Sequence, residues 1–94
     1  MKAVMLYRPN SEHERRALDY ARDVKMQTGK TLPLLDVDSP EGVEQAKMYD
    51  IMEYPALLVT DDEGHMQNIW IGDQLPTISE ASYYVPGDQP VSQK

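Results

Sequence analysis

The stretch Pro55-Ala56-Leu57-Leu58-Val59-Thr60-Asp61-Asp62-Glu63-Gly64-His65-Met66-Gln67-Asn68-Ile69-Trp70-Ile71 decides the fold. Its first six residues read as a strand, the acidic Gly-containing cluster as a turn, and Met66 to Ile71 as a returning strand. A link this short makes the pair an antiparallel hairpin. Upstream, residues 2–7 form a nearly continuous apolar run that Pro9 stops, which predicts a central strand covered on both faces. Thr31 to Val37 reads as a further strand. Pro33 inside it has no N–H to give a ladder, so that strand belongs at a sheet edge.

Helices separate these runs. Ser11-Glu12-His13-Glu14 matches the Ser-x-x-Glu capping box and predicts a helix from there to about Gln27. Leu18, Ala21 and Val24 share its inner face, Ala17 and Thr28 lie at the margin, and Gly29 ends it. Ser39-Pro40-Glu41 supplies an N-cap, a proline at the first helical position and an acid in the first turn, for a helix to about Asp50. Val43, Ala46 and either Met48 or Tyr49 should face inward there, and Gly42 should weaken the helix slightly. After Gly72-Asp73, Pro76 opens a last helix over about Thr77 to Tyr84, with Ile78, Ala81 and Val85 on one face. The expected order is β-α-β-α-β-β-α: an α/β fold with a four-stranded mixed sheet and helices on both faces. The βαβ half should have parallel strands and a right-handed crossover. Residues 1–85 form one domain, and 86–94 read as a flexible polar tail punctuated by proline.

Composition narrows function. At 94 residues with 40% hydrophobic content, only one modest core is possible. A net charge of −7 repels phosphates and anionic headgroups, so neither nucleic acid nor a membrane surface is an expected partner. Arg15-Arg16 sits among Glu12, Glu14 and Asp19 and reads as a solvated helix face with Glu12–Arg16 and Arg15–Asp19 pairs. The absence of cysteine removes disulfides, thiolate nucleophiles, zinc–thiolate sites and iron–sulfur clusters together. Met1 to Tyr7 is too short an apolar run for a signal peptide, and no segment approaches the ~20 apolar residues of a membrane span, so a cytoplasmic location is expected. His13 and His65 read as exposed, and Asp61-Asp62-Glu63 as turn chemistry. No metal or cofactor is expected. Trp70, flanked by Ile69 and Ile71, faces opposite to them, either under a helix or in an edge patch usable for oligomerisation.

Three stretches resemble the thioredoxin/glutaredoxin superfamily. Leu6-Tyr7-Arg8-Pro9-Asn10-Ser11-Glu12-His13-Glu14 is similar to the glutaredoxin strand end and Cys-x-x-Cys helix start, with Ser11 and Glu14 at the two cysteine positions. Tyr49-Asp50-Ile51-Met52-Glu53-Tyr54-Pro55-Ala56-Leu57-Leu58-Val59 resembles the segment leading into the family's cis-proline strand, with Pro55 as that proline. Ile71-Gly72-Asp73-Gln74-Leu75 is similar to the glycine-containing break before the last helix. The resemblance covers about residues 2–84 and implies a thioredoxin-like fold. It does not carry the family's oxidoreductase activity, because the Ser11 hydroxyl is not appreciably ionised near neutral pH and forms no disulfide. What it implies is a binding groove comprising Arg8, Asn10, Ser11, Glu14, Tyr54, Pro55 and Asp73. A cis bond before Pro55 would leave the Tyr54 N–H and C=O to pair with an extended peptide or protein partner. The resemblance also implies a second ligand, glutathione. Ser11 would then donate to the thiol, Arg8 would meet a carboxylate and Asp73 an amine. The sequence fixes neither the partner nor the oligomeric state.

Overall fold

In a computed structural model describing residues 1–85, the chain runs β1 (Lys2–Tyr7), α1 (Glu14–Thr28), β2 (Leu34–Asp36), α2 (Pro40–Met48), β3 (Ala56–Thr60), β4 (Met66–Ile71) and α3 (Ile78–Tyr84). The four strands form one sheet in the order β2-β1-β3-β4. β1 and β2 are parallel, while β3 is antiparallel to both β1 and β4. This is the thioredoxin-like α/β layout expected from the sequence. The polar tail expected over 86–94 lies outside the described residues. No described helix is long and apolar enough to cross a membrane.

Side chains alternate between the two faces of the sheet. Ala3 and Met5 of β1 join Leu57 and Val59 of β3 under α1 and α3, where Ala17, Val24, Leu32, Ala81 and Val85 complete the larger core. Leu6, Ala56 and Leu58 face the other way and meet Val37 and Ile51 beside α2. β3, central and buried at every position, contributes to both cores. Trp70 packs on the α1/α3 side, its ring centroid 5.7 Å from that of Tyr84, which settles its place as under a helix. β2 is an edge strand of three residues, and Pro33 ahead of it contributes only its carbonyl, to Met5 N–H at 2.9 Å.

The helix starts differ from expectation in instructive ways. Ser11 does not cap α1: His13 holds the cap position, without a side-chain cap bond, and the helix begins at Glu14. The Ser11 hydroxyl instead donates backward to the Arg8 carbonyl (2.6 Å), and Glu14 Oε1 accepts from Asn10 N–H (3.2 Å). Asn10 is left-handed (φ 61°), and the bend it belongs to keeps Glu12 and His13, which the motif would have placed in the helix, out of it. Leu18 turns outward (39% exposed), leaving Ala17 and Val24 as the buried contacts of α1. Gly29, left-handed at φ 76°, closes α1 as expected. At α3 the cap is Thr77, whose hydroxyl accepts from Glu80 N–H, so Pro76 precedes the helix. Pro76 is buried, and its carbonyl accepts from the Tyr20 hydroxyl at 2.7 Å, tying α1 to the start of α3. Burial, with Glu80 nearby, raises the Tyr20 pKa to about 12, so the phenol remains a donor.

α2 starts as read, with the Ser39 hydroxyl accepting from Gly42 N–H at 3.0 Å. Its inner face is Ala46 and Tyr49, while Val43 and Met48 are exposed. Gly42 does not merely weaken this helix. A Cβ there would overlap the Asp36 carbonyl oxygen and come within 2.7 Å of the Val37 Cα, so only glycine permits α2 to lie against the end of β2.

Two stability predictions follow from these contacts. Gly42→Ala should lower the unfolding free energy by more than about 2 kcal/mol in denaturant melts, against the few tenths gained at a free helical site. Tyr20→Phe, which strips one half-buried hydrogen bond and nothing else, should cost about 1 kcal/mol.

Candidate functional site

The end of β1 organises the site. The β1–β3 register pairs Leu6 with Ala56, so two further residues would pair Arg8 with Tyr54. That pairing does not form. Arg8 N–H donates to His13 Nε2 (3.1 Å), and the Arg8 carbonyl accepts from Ser11 Oγ (2.6 Å). Both backbone groups that would have continued the ladder are thus held by the turn before α1. On the facing side, Tyr54 N–H and C=O make no hydrogen bond among the described residues, although the Tyr54 hydroxyl donates to the Ile51 carbonyl at 3.1 Å. The Tyr54-Pro55 peptide bond is cis, as the sequence led one to expect. The Pro55 carbonyl accepts from Gly72 N–H (2.9 Å), so the strand resumes its pairing one residue later.

Side chains gather around this break. The Arg8 guanidinium carbon lies 5.6 Å from the centroid of the Tyr54 ring, within cation–π range. Arg8 Nε also stands 3.5 Å from Asp38 Oδ1. The His13 and Tyr54 rings stack with centroids 6.4 Å apart. A hollow of about 310 Å³ opens beside them, with Arg8, Lys47 and Asp50 at its margin and Val37, Val43, Ala46, Ile51, Met52 and Tyr54 as its apolar lining. Met52 is the most solvent-exposed of these apolar groups, at 80%. A larger hollow of about 490 Å³ lies at the opposite end of the sheet, against Lys2, Val4, Leu58 and the Glu41-Gln45-Tyr49 side of α2. None of the seven groove residues expected from the sequence lines it.

Arg8, Asn10, Ser11, Glu14, Tyr54 and Pro55 therefore meet around one break in the ladder, where Tyr54 presents the open backbone groups that the resemblance implies, while Ser11 and Glu14 are engaged within the turn. Ser11 spends its proton on Arg8, and Glu14 spends an oxygen on Asn10. Asp73, itself largely exposed, is engaged through one carboxylate oxygen by Arg16 of the first turn of α1, which links the Gly72 loop to that helix. The same contact takes Arg16 away from the expected pair with Glu12, and Asp19 pairs with Arg22 at 3.5 Å. His65, as expected, is exposed, with its Nδ1 3.2 Å from Asp61. Asp61 accepts from Glu63 N–H and His65 N–H (2.9 Å each), which together lower its pKa, and this is turn chemistry. Among the described residues no group of three or more His, Cys, Asp or Glu stands where it could hold a metal ion.

His13 is the member that sequence reasoning missed. It was expected to point into solvent, yet it is half-buried, and its Nε2 accepts from Arg8, which assigns its proton to Nδ1. The available signal was its position five residues beyond Arg8 across a Pro-Asn bend. Burial lowers its pKa from the ordinary 6.5, and the Arg16 and Arg8 charges lower it further, against a smaller opposing effect of Glu14.

No protein-family model matches the chain, and neither the curated proteins nor the solved structures contain a match.

The depressed His13 pKa fixes the sign of a pH effect. The unfolded chain binds the proton more readily than the folded one, so the His13 contribution is complete above pH 6.5 and is lost as pH falls through the folded value. The stability difference between wild type and His13→Ala should shrink between pH 7 and 5 in parallel melts. The His13 Cε1 proton should titrate with a midpoint below 6.5 by NMR.

Proposed function

We propose that this chain is a thioredoxin/glutaredoxin-like domain without the redox cysteines, and that it binds an extended peptide segment of a partner protein at the break between β1 and Tyr54. One observation carries the reading: His13 and Ser11 hold both backbone groups of Arg8, so Tyr54 N–H and C=O face the break without a partner among the described residues. Such main-chain groups supply affinity for any extended backbone, while neighbouring hollows read its side chains. The apolar lining of Val43, Ala46, Ile51 and Met52 beside Tyr54 accepts an apolar side chain. With no cysteine in 94 residues, no thiol–disulfide exchange accompanies binding.

For glutathione, the other ligand the resemblance implies, the Ser11 hydroxyl would have to leave the Arg8 carbonyl before it could donate to the thiol. A peptide does not require this, which favours the peptide reading.

Peptides selected on the wild-type protein from a random display library should move the Tyr54 and Ala56 amide resonances in a saturable way. Tyr54→Pro, which lacks the N–H, should weaken them about tenfold or more while melting cooperatively. Tyr54→Leu, which keeps the N–H, should retain most of the affinity. Peptides that bind Tyr54→Pro as well as wild type would move the site elsewhere. Glutathione at millimolar concentration should leave Ser11, Tyr54 and Asp73 unshifted, and the protein should not reduce insulin.

A further inference from the structure

The outer edge of β4 carries features that peptide binding at Tyr54 does not use. Of the two sheet edges, β2 is short and preceded by Pro33, whereas β4 offers six residues. None of Met66 to Ile71 is charged, in a chain whose net charge is −7. Edge strands of monomeric proteins are usually blunted with charge, so a long neutral edge calls for an explanation.

Hydrogen-bond phase shows which groups look outward. Gly72 N–H donates to the Pro55 carbonyl, which makes 72 with 55 a bonded pair. By antiparallel alternation, 70 with 57 and 68 with 59 are bonded as well. Ile69 and Ile71 therefore direct N–H and C=O away from the sheet. Two of these four groups are already engaged by the chain itself. Ile69 N–H donates to the Asn68 side-chain carbonyl (2.9 Å), and the Ile71 carbonyl accepts weakly from Gln74 N–H (3.3 Å). The Ile71 N–H and Ile69 C=O remain open among the described residues.

We infer that this edge is a pairing surface for a second copy of the chain, and that the Asn68 carboxamide is the guard that weakens it. The four outward groups are self-complementary. In an antiparallel pair about a two-fold axis at Trp70, Ile69 of each copy faces Ile71 of the other and exchanges both hydrogen bonds with it. The absence of charge on β4 means no like charges meet across that axis, despite two acidic subunits. Asn68 competes for one N–H per copy, and therefore twice per dimer. Its bond to the Ile69 N–H is the shorter of the two that compete with pairing, the other being the weak bond from Gln74 N–H to the Ile71 carbonyl.

Sedimentation velocity on the full chain, from micromolar to millimolar, tests this. Asn68→Val and Asn68→Ala remove the competing acceptor and should each tighten dimerisation about tenfold or more. Asn68→Asp keeps an acceptor, adds charge and should associate no better than wild type. In the dimers, the Ile69 and Ile71 amides should gain hydrogen-exchange protection that the dilute protein lacks. The inference is overturned if the Val and Ala variants sediment as wild type throughout. It is overturned equally if they associate without protection at those two amides, or if Asn68→Asp associates as tightly as they do. Peptide binding at Tyr54, on the other side of β3, is measured separately and is not decided by any of these results.

Discussion

A single backbone residue, Arg8, controls how the sheet ends beside Tyr54. Strands end when their hydrogen-bonding groups find other partners, and Arg8 finds two within five residues: the His13 ring and the Ser11 hydroxyl. These two bonds take both of the backbone groups that Arg8 would offer to β3, and so decide where β1 stops. They also decide that the β3 side of the ladder runs on by one unmatched residue. The turn that accomplishes it needs Asn10 in the left-handed region and the Glu14 carboxylate turned back to the Asn10 N–H. The first helix thereby starts two residues later than the capping box would set it, and it lacks a side-chain cap.

Polar side chains around the break serve the fold first. Arg16 with Asp73 fixes the Gly72 loop against α1, and Gly72 in turn holds the Pro55 carbonyl. Tyr20 joins α1 to Pro76. These contacts place three loops around Tyr54 from three directions. An exposed ion pair such as Arg16–Asp73 contributes little to stability by itself, so its value here is positional.

The sequence made the element order, the edge place of β2, the hairpin, the Ser39 cap and the Gly29 stop legible, because each rests on local chemistry or on a simple period. It misled where two local schemes use the same residues. Ser11 and Glu14 suit a capping box, but they equally suit a turn in which each reaches back one step further, and only the path of β1 chooses between them. Gly42 shows the converse limit. Propensity counts it as a cost, whereas its reason lies in the Asp36 carbonyl pressed against its Cα, a contact between segments that no periodicity encodes. Met48 and Val43 face outward for a related reason: α2 is set by that contact at one end and by Tyr49 at the other. His13 escaped notice because a lone histidine at a helix start has no pattern of its own.

The Asp36 carbonyl anchors the start of α2. It accepts from both the N–H and the hydroxyl of Ser39, and Gly42 rests on it without an intervening side chain. A helix seated this closely has no room to slide or tilt toward the sheet. The apolar hollow next to Tyr54 therefore has one wall of fixed backbone, and its shape changes only through the side chains that rim it. Met52, long, unbranched and mostly in solvent, is the most adaptable of these. Under the proposed peptide reading, the rigidity of the glycine contact leaves the accommodation of differently sized side chains to the Met52 thioether.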